Sequence, residues 1–171
     1  MAVRLVILDC DLTLWNHPNV TALARPLRRV ATDAVEDQAG VRVTLFPGVH
    51  RTLEGLRQRG LIVACASWNE PEPVEEIFTL LDLGRYFDHR KVEPHPHKDR
   101  TIRALLDELR GRGTALEPDQ VLYVDDRRLH LEAVRAAVGG IRFLQYGVDI
   151  RALDELLSYL DSRGPAAQAQ A

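Results

Sequence analysis

Lysine is almost missing from this chain: of 22 basic residues, 20 are arginine and only Lys91 and Lys98 are lysine. Where arginine serves every generic need for positive charge, each lysine invites the question of whether a compact ammonium was required. Cysteine is as scarce, with Cys10 and Cys65 in or at the end of apolar runs. No cysteine pair stands at metal-binding spacing, which argues against a zinc knuckle, and both read first as small buried hydrophobes, with a disulfide or a thiol nucleophile as the alternatives. A net charge of −3 leaves no basic footprint, so nucleic-acid binding by bulk electrostatics is excluded. No apolar stretch approaches the roughly 18 residues of a membrane span. The first strand-like run begins at once and leaves no room for a signal peptide, so a cytoplasmic location is expected. There is no internal repeat, no heptad pattern and no obvious exposed apolar stripe. The oligomeric state stays open, with a monomer the simpler expectation.

What is present is a globular composition, 46% apolar over 171 residues, enough for one domain and too short for two ordinary ones. Apolar strand-length runs at 3–8, 61–67, 88–93, 121–125 and 141–145 alternate with helical patterns at 48–59, 71–82, 97–112, 128–138 and 149–162. Gly60, Gly111, Gly113 and Gly139-Gly140 fall where those helices should stop. The alternation predicts an α/β fold: a three-layer, doubly wound parallel sheet, Rossmann-like, with right-handed crossovers. The interval 15–47 breaks the pattern. Pro18, Pro26 and Pro47 interrupt it, and Gly40 reads as a turn before the alternating Val41–Leu45. A short flap is expected there, part helix or hairpin, over the strand ends and too small for a cap domain. The catalytic domain is placed at 1–163, and the small, polar residues 164–171 are expected to fray.

The chemistry-bearing residues sit at strand ends, where open α/β sheets bind ligands. Asp9-Cys10-Asp11-Leu12-Thr13-Leu14-Trp15 follows the first apolar run, and Asp9 and Asp11, two apart on an extended segment, can face one small substrate. The second strand ends in Ser67-Trp68-Asn69, where a hydroxyl can donate to a phosphate oxygen or cap the next helix. Lys98 opens a helical pattern whose dipole it slightly opposes, so helix stability does not explain it. An ammonium holding a carboxylate and a phosphate together does. The fourth run ends in Asp125-Asp126, adjacent acids that suit the oxygen octahedron of magnesium, unless one of them merely caps a helix.

Other residues have plainer readings. His89, His95 and His97 suggest a zinc site, but Pro94 and Pro96 speak for an irregular loop instead. Trp15 and Trp68 either frame an aromatic substrate or pack. Arg127 and Arg128 read first as surface charges, and Glu72, Glu75, Glu76 and Glu132 as solvated helix faces.

The ordered set Asp9-x-Asp11-x-Thr13, Ser67, Lys98 and Asp125-Asp126 resembles the haloacid dehalogenase superfamily of phosphohydrolases over about residues 1–150. Asp9 to Trp15 without a cap domain is similar to its capless magnesium-dependent phosphatase (type one) group, some of whose members act on phosphotyrosine. Trp68 stands where that group's characterised animal members carry a basic residue. The resemblance implies Asp9 as nucleophile forming an aspartyl phosphate, Asp11 as general acid and base, and Lys98 paired with Asp9 and the phosphoryl group. It implies Cys10, Leu12, Thr13, Ser67, Trp68 and Lys98 around the phosphate. Magnesium falls to Asp9, the Asp11 backbone carbonyl, Asp125, and Asp126 directly or through water. The substrate is expected to be a phosphorylated small molecule or a phosphoprotein, with a protein-tyrosine or sugar phosphatase as possible forms. Two alternatives accompany this reading: a glyceryl or phosphoryl transferase of the same superfamily, and a catalytically silent phosphate-binding scaffold.

Overall fold

The computed structural model describes residues 1–162, so the expected tail at 164–171 lies outside the described residues. In chain order the strands and helices are β1 (Leu5–Leu8), β2 (Arg28–Ala31), β3 (Ala34–Glu36), β4 (Arg42–Thr44), α1 (Val49–Gln58), β5 (Ile62–Trp68), α2 (Pro71–Leu80), β6 (His89–Glu93), α3 (Lys98–Gly111), β7 (Val121–Asp125), α4 (Leu131–Val138), β8 (Arg142–Gln145) and α5 (Glu155–Ser162). Five strands form one parallel sheet in the order β6-β5-β1-β7-β8. The chain leaves the central β1 toward β5 and β6, then returns to the other side for β7 and β8. That reversal creates a crevice at the carboxyl ends of β1 and β7.

Alternation along β1 builds the three layers. Val6 and Leu8 face a core completed by Leu53 and Leu56 of α1, Ile77 and Phe78 of α2, and Leu156 of α5. Leu5 and Ile7 face the opposite core with Ile102 and Leu105 of α3 and Val134 of α4. A strand buried on both faces must be apolar at every position, and β1 is. The sheet is therefore fixed rigidly by packing on both sides, and its carboxyl ends can hold side chains at set distances.

The interval 15–47 contains more structure than a hairpin. A 3₁₀ turn at Val20–Ala22 precedes a three-stranded antiparallel sheet, β2-β3-β4. Gly40 supplies the expected turn, with φ of +84°. Two helices begin later than their sequence patterns suggest. Asp149 accepts from the Gln145 N–H and Glu155 from those of Arg151 and Ala152, so 149–154 turns before α5 starts. The Asp125 carboxylate takes the Arg127 N–H, which holds 126–130 as a loop before α4.

Glu76 corrects the expectation of a solvated helix face. Its carboxylate accepts from the Leu27 N–H at 2.6 Å and from Arg25 Nε at 2.7 Å, fastening the start of β2 to α2. Glu75 likewise pairs with Arg90 at 3.2 Å. Hydrogen bonds to charged groups contribute about 1.5–3 kcal/mol when buried, and partial exposure reduces that to about 1–2 kcal/mol here. Glu76→Ala should lose that much stability and speed amide exchange at Leu27. Unaltered exchange there would show that the contact holds nothing.

Candidate active site

Four segments meet at the carboxyl edge of the sheet. Asp9 follows β1, and its N–H bonds the Val124 carbonyl at 2.9 Å, so the β7 ladder holds its backbone. Lys98, the first residue of α3, is 2% exposed. Its Nζ donates to Asp9 Oδ1 at 2.5 Å and to the Ala66 carbonyl, and lies 3.6 Å from Asp125 Oδ2. Asp9, Asp125 and Asp126 each offer a carboxylate oxygen, and these oxygens all lie within 4.8 Å of one another. Tyr123 donates its hydroxyl to Asp125 Oδ2 and the Arg127 N–H donates to Oδ1, which fixes the orientation of that carboxylate.

Three acids cluster beside one ammonium that pairs with only two of them, Asp9 and Asp125, and the imbalance shows in their protonation. Burial raises the Asp9 pKa to about 7; Lys98 opposes the rise, and Asp125 and Asp11 add to it. Asp126 is raised to about 6 by burial and by Asp125 beside it. Burial works against the Lys98 ammonium, but Asp9 and Asp125 outweigh it and raise its pKa. Packed carboxylates that resist ionising even with an ammonium among them fit a hard divalent cation with oxygen ligands. Magnesium meets that description.

The stabilisation from Asp9 and Asp126 as neutral acids is complete below about pH 4, their unfolded range. It is lost as pH rises through about 6 for Asp126 and about 7 for Asp9. A magnesium ion bound by these carboxylates would compete with those protons, so its stabilising effect should grow over the same window. At 100 times Kd it should add about 2.7 kcal/mol, or roughly 5–10 °C in Tm, at pH 8. The shift at pH 5 should be clearly smaller. Equal shifts at both pH values would argue against these carboxylates as the binding site.

Asp11 stands apart from the cluster of Asp9, Asp125 and Asp126. Its Oδ1 accepts from Trp15 Nε1 at 2.7 Å and its Oδ2 from Asn69 Nδ2 at 2.9 Å. Burial raises its pKa, and those two hydrogen bonds oppose the rise. Leu12 turns the chain with φ of +54°, a left-handed conformation that costs a leucine about 1–2 kcal/mol. That turn is closed by the Thr13 and Leu14 N–H groups on the Cys10 carbonyl. Thr13 Oγ1 is buried with no hydrogen-bond partner among the described residues. Ser67 is buried on β5, which continues through Trp68, and it does not cap α2. Cys10 is buried and free, its thiol pKa pushed up by burial and by neighbouring Cys65.

A cleft of about 290 Å³ opens beside Asp11, walled by Pro18, Trp68, Pro94 and Arg127. The two tryptophans therefore divide. Trp15 is fully buried, edge-on to Phe78 with ring centroids 6.2 Å apart, whereas Trp68 is 43% exposed at the cleft. Arg127 reaches the cleft, while Arg128 lies over the Phe143 ring. Among the described residues His89, His95 and His97 join no metal-binding cluster; His95 pairs with Glu93 at 2.7 Å. Asn69 and Tyr123 were not singled out from sequence. Asn69 adjoins Ser67-Trp68, and Tyr123 lies two residues before Asp125 on the same face of β7. That spacing was the available signal for Tyr123.

A sheet of this order, with acids after its first and fourth strands and a buried lysine between them, defines the haloacid dehalogenase fold. Solved structures agree in fold. A haloacid dehalogenase superfamily hydrolase from Ehrlichia chaffeensis superposes with a TM-score of 0.67 at 15% identity, over 94% of this chain and 97% of the other. The phosphatase-containing N-terminal part of a Bacteroides fragilis protein, solved with magnesium, gives 0.63 at 20% identity over 94% of this chain and 40% of that one. Human magnesium-dependent phosphatase 1 is 28% identical over 153 residues, 89% of this chain and 84% of the human protein. The family described as Acid Phosphatase matches residues 2–159, and the chain belongs to that phosphatase family.

Proposed function

We propose that this chain is a magnesium-dependent phosphomonoester hydrolase, one catalytic domain working through an aspartyl phosphate on Asp9. The observation that carries this reading is the buried Asp9 carboxylate held between the Lys98 ammonium and the Asp125–Asp126 pair. Asp9 attacks phosphorus while the ester P–O bond breaks, and Asp11 gives the leaving oxygen its proton. Water then attacks the phosphoryl group, Asp11 takes the water's proton, and inorganic phosphate departs as Asp9 is restored. Lys98 lowers the repulsion between the Asp9 carboxylate and an incoming phosphate dianion. Thr13, with its unpartnered hydroxyl, and Ser67 donate to the phosphoryl oxygens, helped by the backbone turn from Cys10 to Leu12. Asp9, Asp125, Asp126 and the Asp11 carbonyl would hold magnesium, which supplies positive charge against carboxylates and phosphoryl oxygens when bound.

The cleft beside Asp11 is suited to the leaving group, with Trp68, Pro18 and Pro94 offering apolar contact and Arg127 a cation. Those walls suit an organic phosphate on a peptide or a small metabolite. A cytoplasmic setting accords with two free, buried thiols. The direct test is p-nitrophenyl phosphate with magnesium, then with excess chelator. Phenolate should be released at a rate that falls at least about 10²-fold on chelation and returns with added magnesium. No release from this ester or from a broad phosphoester panel, together with tight binding of beryllofluoride, would replace catalysis by a phosphate-binding role.

A further inference from the structure

Asn69 is 2% exposed, and every polar position of its side chain is used. Nδ2 donates to Asp11 Oδ2 and to Ser67 Oγ, each at 2.9 Å. Oδ1 accepts from Thr21 Oγ1 at 2.8 Å and from the Thr21 backbone N–H at 3.3 Å. A carboxamide has two hydrogens and two lone-pair sites, and these four bonds fill them. A backbone N–H can only donate, so Thr21 settles which end of the amide is oxygen. Both amide hydrogens then face the site.

We propose that Asn69 is a positioning residue that aims the Ser67 hydroxyl at the phosphate and the Asp11 carboxyl group at the leaving oxygen. The inference rests on the phosphatase reading of Ser67 and Asp11. Ser67 Oγ accepts from Asn69, its sole hydrogen-bond partner among the described residues, so its own hydrogen is left to donate into the site. Asp11 accepts from Trp15 on Oδ1 and from Asn69 on Oδ2, with a backbone hydrogen bond from Val20 besides, and together these fix the plane of the carboxyl group. Without Asn69 the Oδ2 oxygen loses its Nδ2–H donor and the plane is held less tightly. Thr21 completes the arrangement: its hydroxyl also accepts from the Glu70 N–H at 2.9 Å, so the segment before β2 and the loop after β5 are locked together through this amide. A general acid must lie within hydrogen-bond reach of the atom it protonates, and small misplacement is costly.

The experiment compares wild type with Asn69→Leu, which keeps the volume and removes both N–H groups. A series of substituted phenyl phosphates is used, reading kcat/KM, which reports on the step that forms the aspartyl phosphate. Poor leaving groups depend on the Asp11 proton and good ones do not. Phenyl phosphate should therefore lose at least about tenfold more than p-nitrophenyl phosphate, steepening the dependence on leaving-group acidity. Pairing with Ser67→Ala should give a double variant that loses less than the product of the two single losses. If Asn69→Leu does not fold, Asn69→Ser carries the same expectations. An equal fall across the series with multiplicative losses, or no fall, overturns the positioning role while wild-type turnover keeps the phosphatase reading. Absence of wild-type turnover defeats the phosphatase reading itself, and the inference with it.

Discussion

Asp9→Asn should abolish hydrolysis of p-nitrophenyl phosphate, lowering kcat by at least about 10³-fold, while the protein remains folded. The substitution is nearly isosteric, and the neighbouring Val124 contact uses the backbone N–H, which asparagine retains. What it removes is the anionic oxygen that, on the proposed mechanism, attacks phosphorus. Asparagine also removes one of the three clustered carboxylates while Asp125 remains beside Lys98, so stability at pH 8 should hold or rise. The sign follows from the raised Asp9 pKa of about 7, since an acid that resists ionisation in the folded state loses stability as pH rises from about 4 through that value, and the loss is complete by about pH 8. Turnover and thermal unfolding should thus move in different directions. Equal rates for the two proteins would remove Asp9 as nucleophile.

Lys98→Met should damage both activity and stability. The ammonium is buried against Asp9, Asp125 and the Ala66 carbonyl, and removing one partner of a buried ion pair costs about 3–5 kcal/mol. Methionine fills most of the space but leaves the carboxylates facing one another. Turnover should fall by at least about 10²-fold, because a preorganised charge near the reacting phosphoryl group is gone. The stability deficit should be greater at pH 8 than at pH 5, where the acids can be neutral, and magnesium should recover part of it. Lys98→Arg should rescue poorly, since a planar fork does not fit a compact ammonium site. Unchanged Tm and turnover in Lys98→Met would refute the buried-charge account.

The fold was largely legible because each of its signals is local. A strand covered on both faces has to be apolar throughout, which is why β1, β5 and β7 stand out as short unbroken runs. The strand-end acids were legible for a related reason: adjacent carboxylates after an apolar strand have few structural uses. The segment before α1 was harder to read. Its strands β2, β3 and β4 are only three or four residues each, too short for periodicity to distinguish a hairpin from a three-stranded sheet. Glu76 escaped for another reason. Its partners Arg25 and Leu27 lie about 50 residues earlier in the chain, so its helix face looked solvated.

The alternation of the five parallel strands with their helices, the sheet edge at which the acids emerge and the residues at each strand end follow from the amino-acid sequence alone. Periodicity and strand-terminal motifs depend on near neighbours along the chain. Tertiary structure decided which groups share a hydrogen bond. It turned Asp11 toward Trp15 and Asn69, filled both ends of the Asn69 amide from segments 48 and 58 residues distant, and set one ammonium against two of three clustered carboxylates. Those outcomes depend on distances across the sheet edge, which exist only once both faces of the sheet are packed.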